Sequence, residues 1–313
     1  MKKTLMADGT LLLIAFVWGA TFVVVQNAIE FLPPNTFNTI RFLIASLFLL
    51  LIVAVFYRHM WKEFTAPLVK AGALIGFWLF AGYAFQTVGL VYTTSAKAGF
   101  ITGLCVVLVP CFSVFLLKDK IKWNAVAGVL MALVGLALLT LHSVAFNVGD
   151  LLVFGCAISF ALQIVLTGKY AKHYPALPLA IVQLTTVTIL SFVYAFLFED
   201  WKQGINLEAL LTPEVFWGLL ITAIPATALA FLAQTAFQKQ TSSTHVALIF
   251  AMEPVFAALT AYVWNNEVLT AVQLIGGTLI LAGMVFAELP IASWWKERTL
   301  SKELQNKNEK HVM

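Results

Sequence analysis

The hydrophobic pattern of this chain consists of long apolar stretches that short polar joints separate. Ten stretches of about twenty residues each have the length that an α-helix needs to cross about 30 Å of hydrocarbon. They lie near residues 10–29, 36–57, 68–91, 94–117, 122–141, 149–169, 177–198, 214–238, 242–264 and 269–289. Apolar and polar positions do not alternate within them, so the pattern predicts helices rather than the strands of a membrane barrel.

The composition indicates the medium in which these helices lie. Of 313 residues, 61% are hydrophobic and 11% are charged, whereas about a quarter of the residues of a soluble domain are charged. The sequence therefore predicts an all-α integral membrane protein that has the lipid bilayer as its partner. The net charge of +4 comes from lysines in the polar joints, so we expect no nucleic-acid partner.

The two halves of the chain repeat each other. Residues 86–107 match residues 234–255 at one constant offset, and the same offset continues downstream without a gap. The corresponding pairs include Gln86 and Gln234, Thr93 and Thr241, Lys97 and His245, Asp119 and Glu267, Gly128 and Gly276, and Gly135 and Gly283. So many coincidences at one offset indicate an internal repeat.

The basic residues of the joints predict the orientation. Most of the 19 Lys and Arg residues lie in joints on the side of the N-terminus, so the positive-inside rule predicts cytoplasmic N- and C-termini. Each half holds five helices, an odd number, and the second half must therefore be inverted relative to the first. In agreement, the joint at residues 118–122 carries three lysines, whereas its counterpart at residues 266–270 carries none.

We therefore expect ten transmembrane helices in two inverted five-helix repeats. The first repeat covers residues 8–141, the second covers residues 149–290, and residues 291–313 form a polar cytoplasmic tail. The protein is expected to be a multi-pass protein of the cell membrane. When two inverted repeats exchange their conformations, an outward-open cavity becomes an inward-open one. This arrangement favours a transporter.

Three motifs resemble those of a known family. They are Trp18-Gly-Ala-Thr-Phe-Val23, Tyr92-Thr-Thr-Ser-Ala-Lys-Ala-Gly-Phe-Ile-Thr-Gly103 and Glu253-Pro-Val-Phe-Ala-Ala-Leu259. With the glycine-spaced fifth and tenth helices, they resemble the drug/metabolite transporter superfamily, specifically its EamA-type branch of ten-helix transporters. The resemblance implies secondary transport, frequently efflux, of small metabolites such as amino acids, nucleobase-like compounds or toxic analogues. The first repeat departs from the pattern, because Cys105 and Val106 replace its Glu-Pro pair.

A membrane-embedded enzyme that acts on a lipid is the alternative function. Such an enzyme needs clustered acidic or histidine residues near an interface, and the sequence offers a single carboxylate in the middle of a predicted span. We therefore expect no enzymatic activity. The chain has no P-loop pattern, its three cysteines lack metal-ligand spacing and its five histidines are scattered, so we expect neither a cofactor nor a metal site.

Polar and aromatic residues on helix faces are the candidates for substrate binding. Trp18 either lines a cavity or packs on small residues of a neighbouring helix. Tyr83 and Gln86 share one face of the third helix, and Gln234 repeats Gln86 in the eighth. An amide cannot face lipid without losing its hydrogen bonds, so both glutamines face a cavity or clamp two helices together. Thr102 binds substrate or bonds to its own backbone.

Three charged or titratable residues complete the set. Arg41 lies about 9 Å inside the second helix, where it either reaches outward to the interface, pairs with Glu30 or binds a substrate anion. His245, which corresponds to Lys97, is a further candidate for substrate binding. Glu253 lies about 16 Å along the ninth helix, so it must be protonated, paired or in a wet cavity. It either couples transport to a proton or donates a hydrogen bond to the carbonyl of Phe250 and supports a bend.

Prolines and glycines predict local geometry. Pro110, Pro225 and Pro254 lie inside predicted spans, where each removes an amide donor and bends or opens its helix. Transporters place binding sites at such interruptions. The glycines of the fifth and tenth helices predict close helix packing, either within the bundle or in a homodimer formed through helix 5 or 10.

Overall fold

The computed structural model describes residues 2–93, 95–140, 147–201, 207–265 and 270–288, and the predicted tail at residues 291–313 lies outside this set. The described residues form helices and no strands, which confirms the all-α membrane fold. Eight helical spans among them are long and apolar enough to cross a membrane, and the shorter apolar helices Trp123–Leu138 and Leu274–Ala287 lie where the fifth and tenth spans are predicted.

Apart from α1, which begins at Lys2 rather than near residue 10, the helices of the first half begin and end close to the predicted bounds. They are α1 (Lys2–Ala28), α2 (Pro34–Phe56), α3 (Ala66–Gly89), α4 (Ser95–Gly103), α5 (Cys105–Leu117) and α6 (Trp123–Thr140), with a 3-10 turn at Arg58–Glu63. The fourth predicted span is thus two helices, α4 and α5. Proline occupies the first turn of α2 and of α3, where its missing N–H has no intrahelical partner to lose.

The second half follows the same order with two interruptions. Its helices are α7 (Val148–Tyr170), α8 (Ala176–Phe198), α9 (Leu207–Leu211), α10 (Pro213–Ala223), α11 (Ala230–Gln238), α12 (Ser243–Phe250), α13 (Glu253–Asn265) and α14 (Ala271–Glu288). A π-helical segment, Ile224–Leu229, joins α10 to α11. The ninth predicted span is divided into α12 and α13, as the fourth is divided into α4 and α5.

The two glycine-spaced helices, α6 and α14, pack on each other in antiparallel orientation. A Cβ atom on Gly128 would lie 2.5 Å from the carbonyl oxygen of Gly283, and one on Gly135 would lie 2.6 Å from that of Gly276. The glycines therefore allow the two backbones to touch. This contact joins the two repeats within one chain, so the glycine faces need no second subunit for their burial. The homodimer stays a prediction.

A second link between the repeats caps the start of α2. The carboxylate of Glu199, which follows α8, accepts hydrogen bonds from the backbone N–H groups of Asn35 and Thr36, both at 2.8 Å. It also accepts bonds from the Asn35 amide at 3.1 Å and the Thr36 hydroxyl at 2.9 Å. Because the first N–H groups of a helix lack intrahelical partners, this carboxylate stabilises α2 from another helix.

Candidate functional site

Both repeats contain a helix that breaks near its middle, at positions that correspond in the repeat. In the first repeat Leu104 separates α4 from α5, and in the second Ala251 and Met252 separate α12 from α13. At each break the hydrogen bonding tightens to a three-residue spacing, from Leu104 N to Ile101 O at 3.1 Å and from Met252 N to Ile249 O at 3.0 Å. Two half-helices, α5 and α13, therefore begin inside the bundle.

The prolines account for part of this geometry. Pro254 lies in the first turn of α13, directly after the second break, and Pro225 lies in the π-helical segment. The openings predicted at these two prolines are confirmed. At Pro110 no opening is seen, because α5 continues through that residue and the break lies at Leu104, so a bend at Pro110 stays a prediction. A proline inside a helix removes one hydrogen bond, which surrounding packing can offset.

A central cavity of ≈ 800 Å³, counted with its opening, lies between the repeats at these breaks. Its walls come from α1, α2, α3, α4, α5, α7, α11 and the helices on both sides of the second break. Seven of the eight residues predicted for the site line it: Trp18, Arg41, Tyr83, Gln86, Thr102, Gln234 and Glu253. The fold thus brings together residues that lie up to 235 positions apart in the sequence.

Arg41 points into the bundle and is 3% exposed. Its Nε donates to the Thr227 hydroxyl at 2.7 Å, its Nη2 donates to the Tyr83 hydroxyl at 3.4 Å, and its Cζ lies 4.8 Å from the centre of the Tyr83 ring. No carboxylate pairs with it among the described residues, so neither the outward reach nor the pairing with Glu30 is seen. A guanidinium has five N–H groups, and two are used here.

Trp18 forms one aromatic wall and is held by the π-helical segment. Its indole Nε1 donates to the carbonyl of Ala226 at 2.8 Å, and its ring centre lies 5.3 Å from that of Phe231 and 4.9 Å from that of Phe250. A π-helical turn shifts the hydrogen-bond register of a helix and frequently occurs at functional sites. Here the segment presents Ala226 to Trp18 and Thr227 to Arg41, which positions both side chains.

The two glutamines related by the repeat occupy different environments. Gln86 is half-buried and its Nε2 donates to the Thr102 hydroxyl at 3.3 Å. Gln234 is 1% exposed, and its Nε2 lies 3.3 Å from Gln163 Oε1 and 3.2 Å from Gln238 Oε1. Each amide therefore lines the cavity and also bridges two helices. These are the two roles between which the sequence did not decide.

Glu253 begins α13 and lines the cavity beside α1. Its carboxylate has no ion pair or hydrogen bond among the described residues, so the bond to the Phe250 carbonyl, considered from the sequence, is not seen. The backbone of α1 approaches closely here, since a Cβ on Gly19 would collide with the carbonyl oxygen of Glu253. Cys105, the corresponding residue of the first repeat, also lines the cavity, and its thiol donates to the carbonyl of Ala157.

His245 is the predicted site residue that does not line the central cavity. It lies in the first turn of α12, with its Nε2 3.0 Å from the Asp8 carboxylate of α1. The first turn of α12 lies at the end of the bundle, well before the break that opens the cavity. The structure therefore does not group His245 with the other seven residues.

The cavity extends toward one end of the bundle. Its lining includes Val25 near the end of α1, Leu90 just after α3 and Gly99 in α4. Toward the opposite end the space between the repeats is filled by one buried apolar cluster, whose members include Leu11, Ile14, Val109, Ala161, Val246 and Leu248. The cavity is thus closed toward the end of the bundle at which α12 begins, and its walls extend toward the other end.

Several lining residues were not predicted from the sequence. Phe160, Phe231 and Phe250 supply apolar surface around the polar groups, and Gln163 adds an amide next to Gln234. Phenylalanine is frequent along the chain, which has 26 of them, so its type carries no signal. Gln163 and Thr227, the hydrogen-bond partner of Arg41, could have been recognised from the sequence, because each is a polar residue in the middle of an apolar span.

The chain is similar to known proteins in both sequence and fold. A model of the EamA-like transporter family matches residues 5–141 and 147–289. An uncharacterized transporter of Archaeoglobus fulgidus is 39% identical over 92% of this chain and 88% of its own. A probable amino-acid metabolite efflux pump of Salmonella typhimurium is 26% identical over 88% of this chain and 93% of its own. A solved crystal structure with 21% identity has the same fold, with a TM-score of 0.72 over 89% of this chain and 95% of that one.

Proposed function

Because this chain belongs to the EamA-like transporter family, we propose that it is a secondary-active transporter that exports small metabolites by alternating access. The names of the family and of the relatives indicate a transporter rather than a lipid-modifying enzyme. The observation that carries the proposal is the central cavity, which lies between two inverted repeats at matched helix breaks and which buried apolar side chains close toward one end. An exchange of conformation between the repeats would move the opening to the other end.

The cavity supports a substrate with an anionic group and an apolar part. Arg41 offers N–H donors that no carboxylate of the described residues takes, and arginine binds carboxylates in a planar, two-bond geometry. The aromatic rings of Trp18, Phe231 and Phe250 offer an apolar wall beside it. An amino acid or a related carboxylate metabolite has both features. The similarity to an amino-acid metabolite efflux pump supports this class.

The end of the bundle toward which the cavity extends is proposed to face outward. The joints between α2 and α3, α5 and α6, α7 and α8, and α11 and α12 lie at the opposite, closed end and carry the lysines, so the positive-inside rule favours a cytoplasmic location for that closed end. A reporter fused after Lys172 is then expected in the cytoplasm and one after Asn147 outside. If both reporters lie on one side, the repeats are not inverted and alternating access between them is excluded.

Glu253 is proposed to exchange a proton during the cycle. It lies in the first turn of a half-helix, at the cavity, without a fixed cation partner among the described residues. A carboxyl group in such a position can bind a proton in one conformation and release it in the other. Transport of substrate in one direction would then be coupled to movement of a proton in the opposite direction.

Proteoliposomes with an imposed pH gradient test the function and the coupling separately. The purified protein is expected to accumulate a radiolabelled metabolite against its concentration when the gradient is present. Glu253→Gln is expected to lose this accumulation and to keep counterflow exchange in the absence of a gradient. Cys105→Ser, at the corresponding position of the first repeat, is the matched control and should respond to the gradient like the unmodified protein.

The outcomes separate the two parts of the proposal. If Glu253→Gln accumulates substrate as the unmodified protein does, Glu253 is not the coupling residue, although the transporter assignment stands. If no member of a panel of amino acids, nucleobases and their toxic analogues exchanges through the unmodified protein, the proposed substrate class is wrong.

A further inference from the structure

A second pocket lies at the closed end of the bundle, between the two repeats. It encloses ≈ 1190 Å³ with its opening, and it is lined by the joint after α5, the end of α7 and the joint between α11 and α12. Among the described residues, none that lines this pocket also lines the central cavity. The pocket is therefore separate from the proposed transport site.

Four lysines from three different joints line this second pocket. Lys120 and Lys122 come from the first repeat, whereas Lys172 and Lys239 follow α7 and α11. Among the described residues, Asp119 is the one carboxylate that lines the pocket. None of the four ammonium groups has a carboxylate or hydrogen-bond partner among the described residues. The pocket thus carries a clear excess of positive charge.

The positive-inside rule explains why lysines lie at this end of the bundle. It does not explain why they converge on one pocket from both repeats. Lys62 and Lys70 lie in and beside the joint between α2 and α3, at the same end, and neither lines the pocket. These two residues provide a reference for the general effect of positive charge.

The start of α12 adds neutral donors to the same pocket. Ser243 and Thr244 are 3% and 9% exposed and both line its wall. Neither hydroxyl has a hydrogen-bond partner among the described residues, although the neighbouring Ser242 caps the N–H of His245 at 3.2 Å. A helix N-terminus carries partial positive charge and free N–H groups, which favour bound phosphate.

We propose that this pocket binds a phosphate-bearing anion that contacts both repeats at once. The lysines supply charge and the buried hydroxyls of α12 supply short-range donors, which is the combination that phosphate recognition uses. All the wall segments are helix ends or joints, so the pocket lies at the level where lipid headgroups meet the protein. A ligand held by both repeats stabilises the closed end against opening, so its release precedes the change to the opposite state.

The test measures binding of phosphatidylglycerol by native mass spectrometry of the full chain, with inorganic pyrophosphate as a soluble probe of the same chemistry. K172Q/K239Q replaces two lysines of the pocket, one in each of two joints. K62Q/K70Q replaces two lysines that lie outside the pocket. The first double variant is expected to bind phosphatidylglycerol about 30-fold more weakly, the loss expected for two lysine contacts at a membrane surface. The second should bind like the unmodified protein.

S243A is the second variant, because removal of lysines can also change insertion. It leaves every charge in place and is expected to weaken binding about 10-fold, as for one hydrogen bond to an anion. If pyrophosphate displaces phosphatidylglycerol from the protein, a soluble anion is identified as the ligand. If phosphatidylglycerol binds and pyrophosphate does not displace it, a lipid headgroup is identified.

The proposal would be overturned if the unmodified protein, S243A and both double variants bound equally. It would also be overturned if neither phosphatidylglycerol nor pyrophosphate bound to the unmodified protein.

Discussion

Replacement of Arg41 by glutamine tests the role of the charge at the centre of the cavity. The side chain of Arg41 is 3% exposed and donates to Thr227 and Tyr83. These two bonds leave three of the five N–H groups of a guanidinium for a substrate. Arg41→Gln removes the charge and those donors, while its amide retains the capacity to bond to Thr227 or Tyr83.

The expected loss follows from the contacts that remain for the substrate. One hydrogen bond between charged groups contributes about 1.5 to 3 kcal/mol, which corresponds to about 10- to 150-fold in affinity. Arg41→Lys retains the charge but not the planar pair of donors, so its loss should be smaller. Removal of a buried cation without a carboxylate partner leaves no other charge uncompensated. Thermal stability should therefore hold or rise in Arg41→Gln.

Counterflow in proteoliposomes provides the assay. Affinity is measured for the best carboxylate substrate of a metabolite panel and for its neutral amide, with each variant and the unmodified protein. We expect the preference for the carboxylate over the amide to fall by the stated factor in Arg41→Gln. Thr227→Val, which removes the positioning bond but not the charge, should retain most of the preference. Equal affinity changes for carboxylate and amide would refute a contact between Arg41 and the anion.

Three further predictions concern the cavity wall and the links between the repeats. Gln86→Leu and Gln234→Leu should each impair transport while membrane abundance is unchanged, as measured by counterflow and immunoblotting; loss of folded protein would favour a purely structural clamp. Gly128→Ala should lower the temperature of unfolding by several degrees, since its Cβ would meet a backbone oxygen at 2.5 Å, whereas Gly9→Ala has no neighbour within 4 Å and should not. Glu199→Gln should lower the free energy of unfolding in urea by about 1 to 2 kcal/mol, as loss of a helix cap does; an unchanged value would show that the four hydrogen bonds contribute nothing net.

Much of the fold could be predicted from the sequence because lipid allows few alternatives. Backbone groups in hydrocarbon must pair within their own helix, so each apolar run of sufficient length became helical, although the fourth, eighth and ninth runs are interrupted. The internal repeat then predicted the equivalence of the two halves. It did not predict that Leu104 and Met252 break their helices at corresponding positions, because the first break has no proline beside it.

The site was less accessible to sequence reasoning, because depth and direction of a side chain are properties of packing. Arg41 lies near the start of α2, and position alone left open whether it reaches outward or inward. The π-helical segment decides this, since it presents Thr227 to the guanidinium. His245 shows the opposite case: the repeat matched it to a motif residue, yet it lies at the end of the bundle beside Asp8 and does not line the central cavity.

The contact between α6 and α14 has a consequence for how the two halves are held together. Gly128 and Gly283 each approach the carbonyl oxygen of the other, so the surface is complementary to itself in antiparallel orientation. Two separate polypeptides with this surface would associate according to their concentration in the membrane. A covalent link between the halves replaces that dependence by a fixed effective concentration. The pairing of the halves is therefore insensitive to expression level.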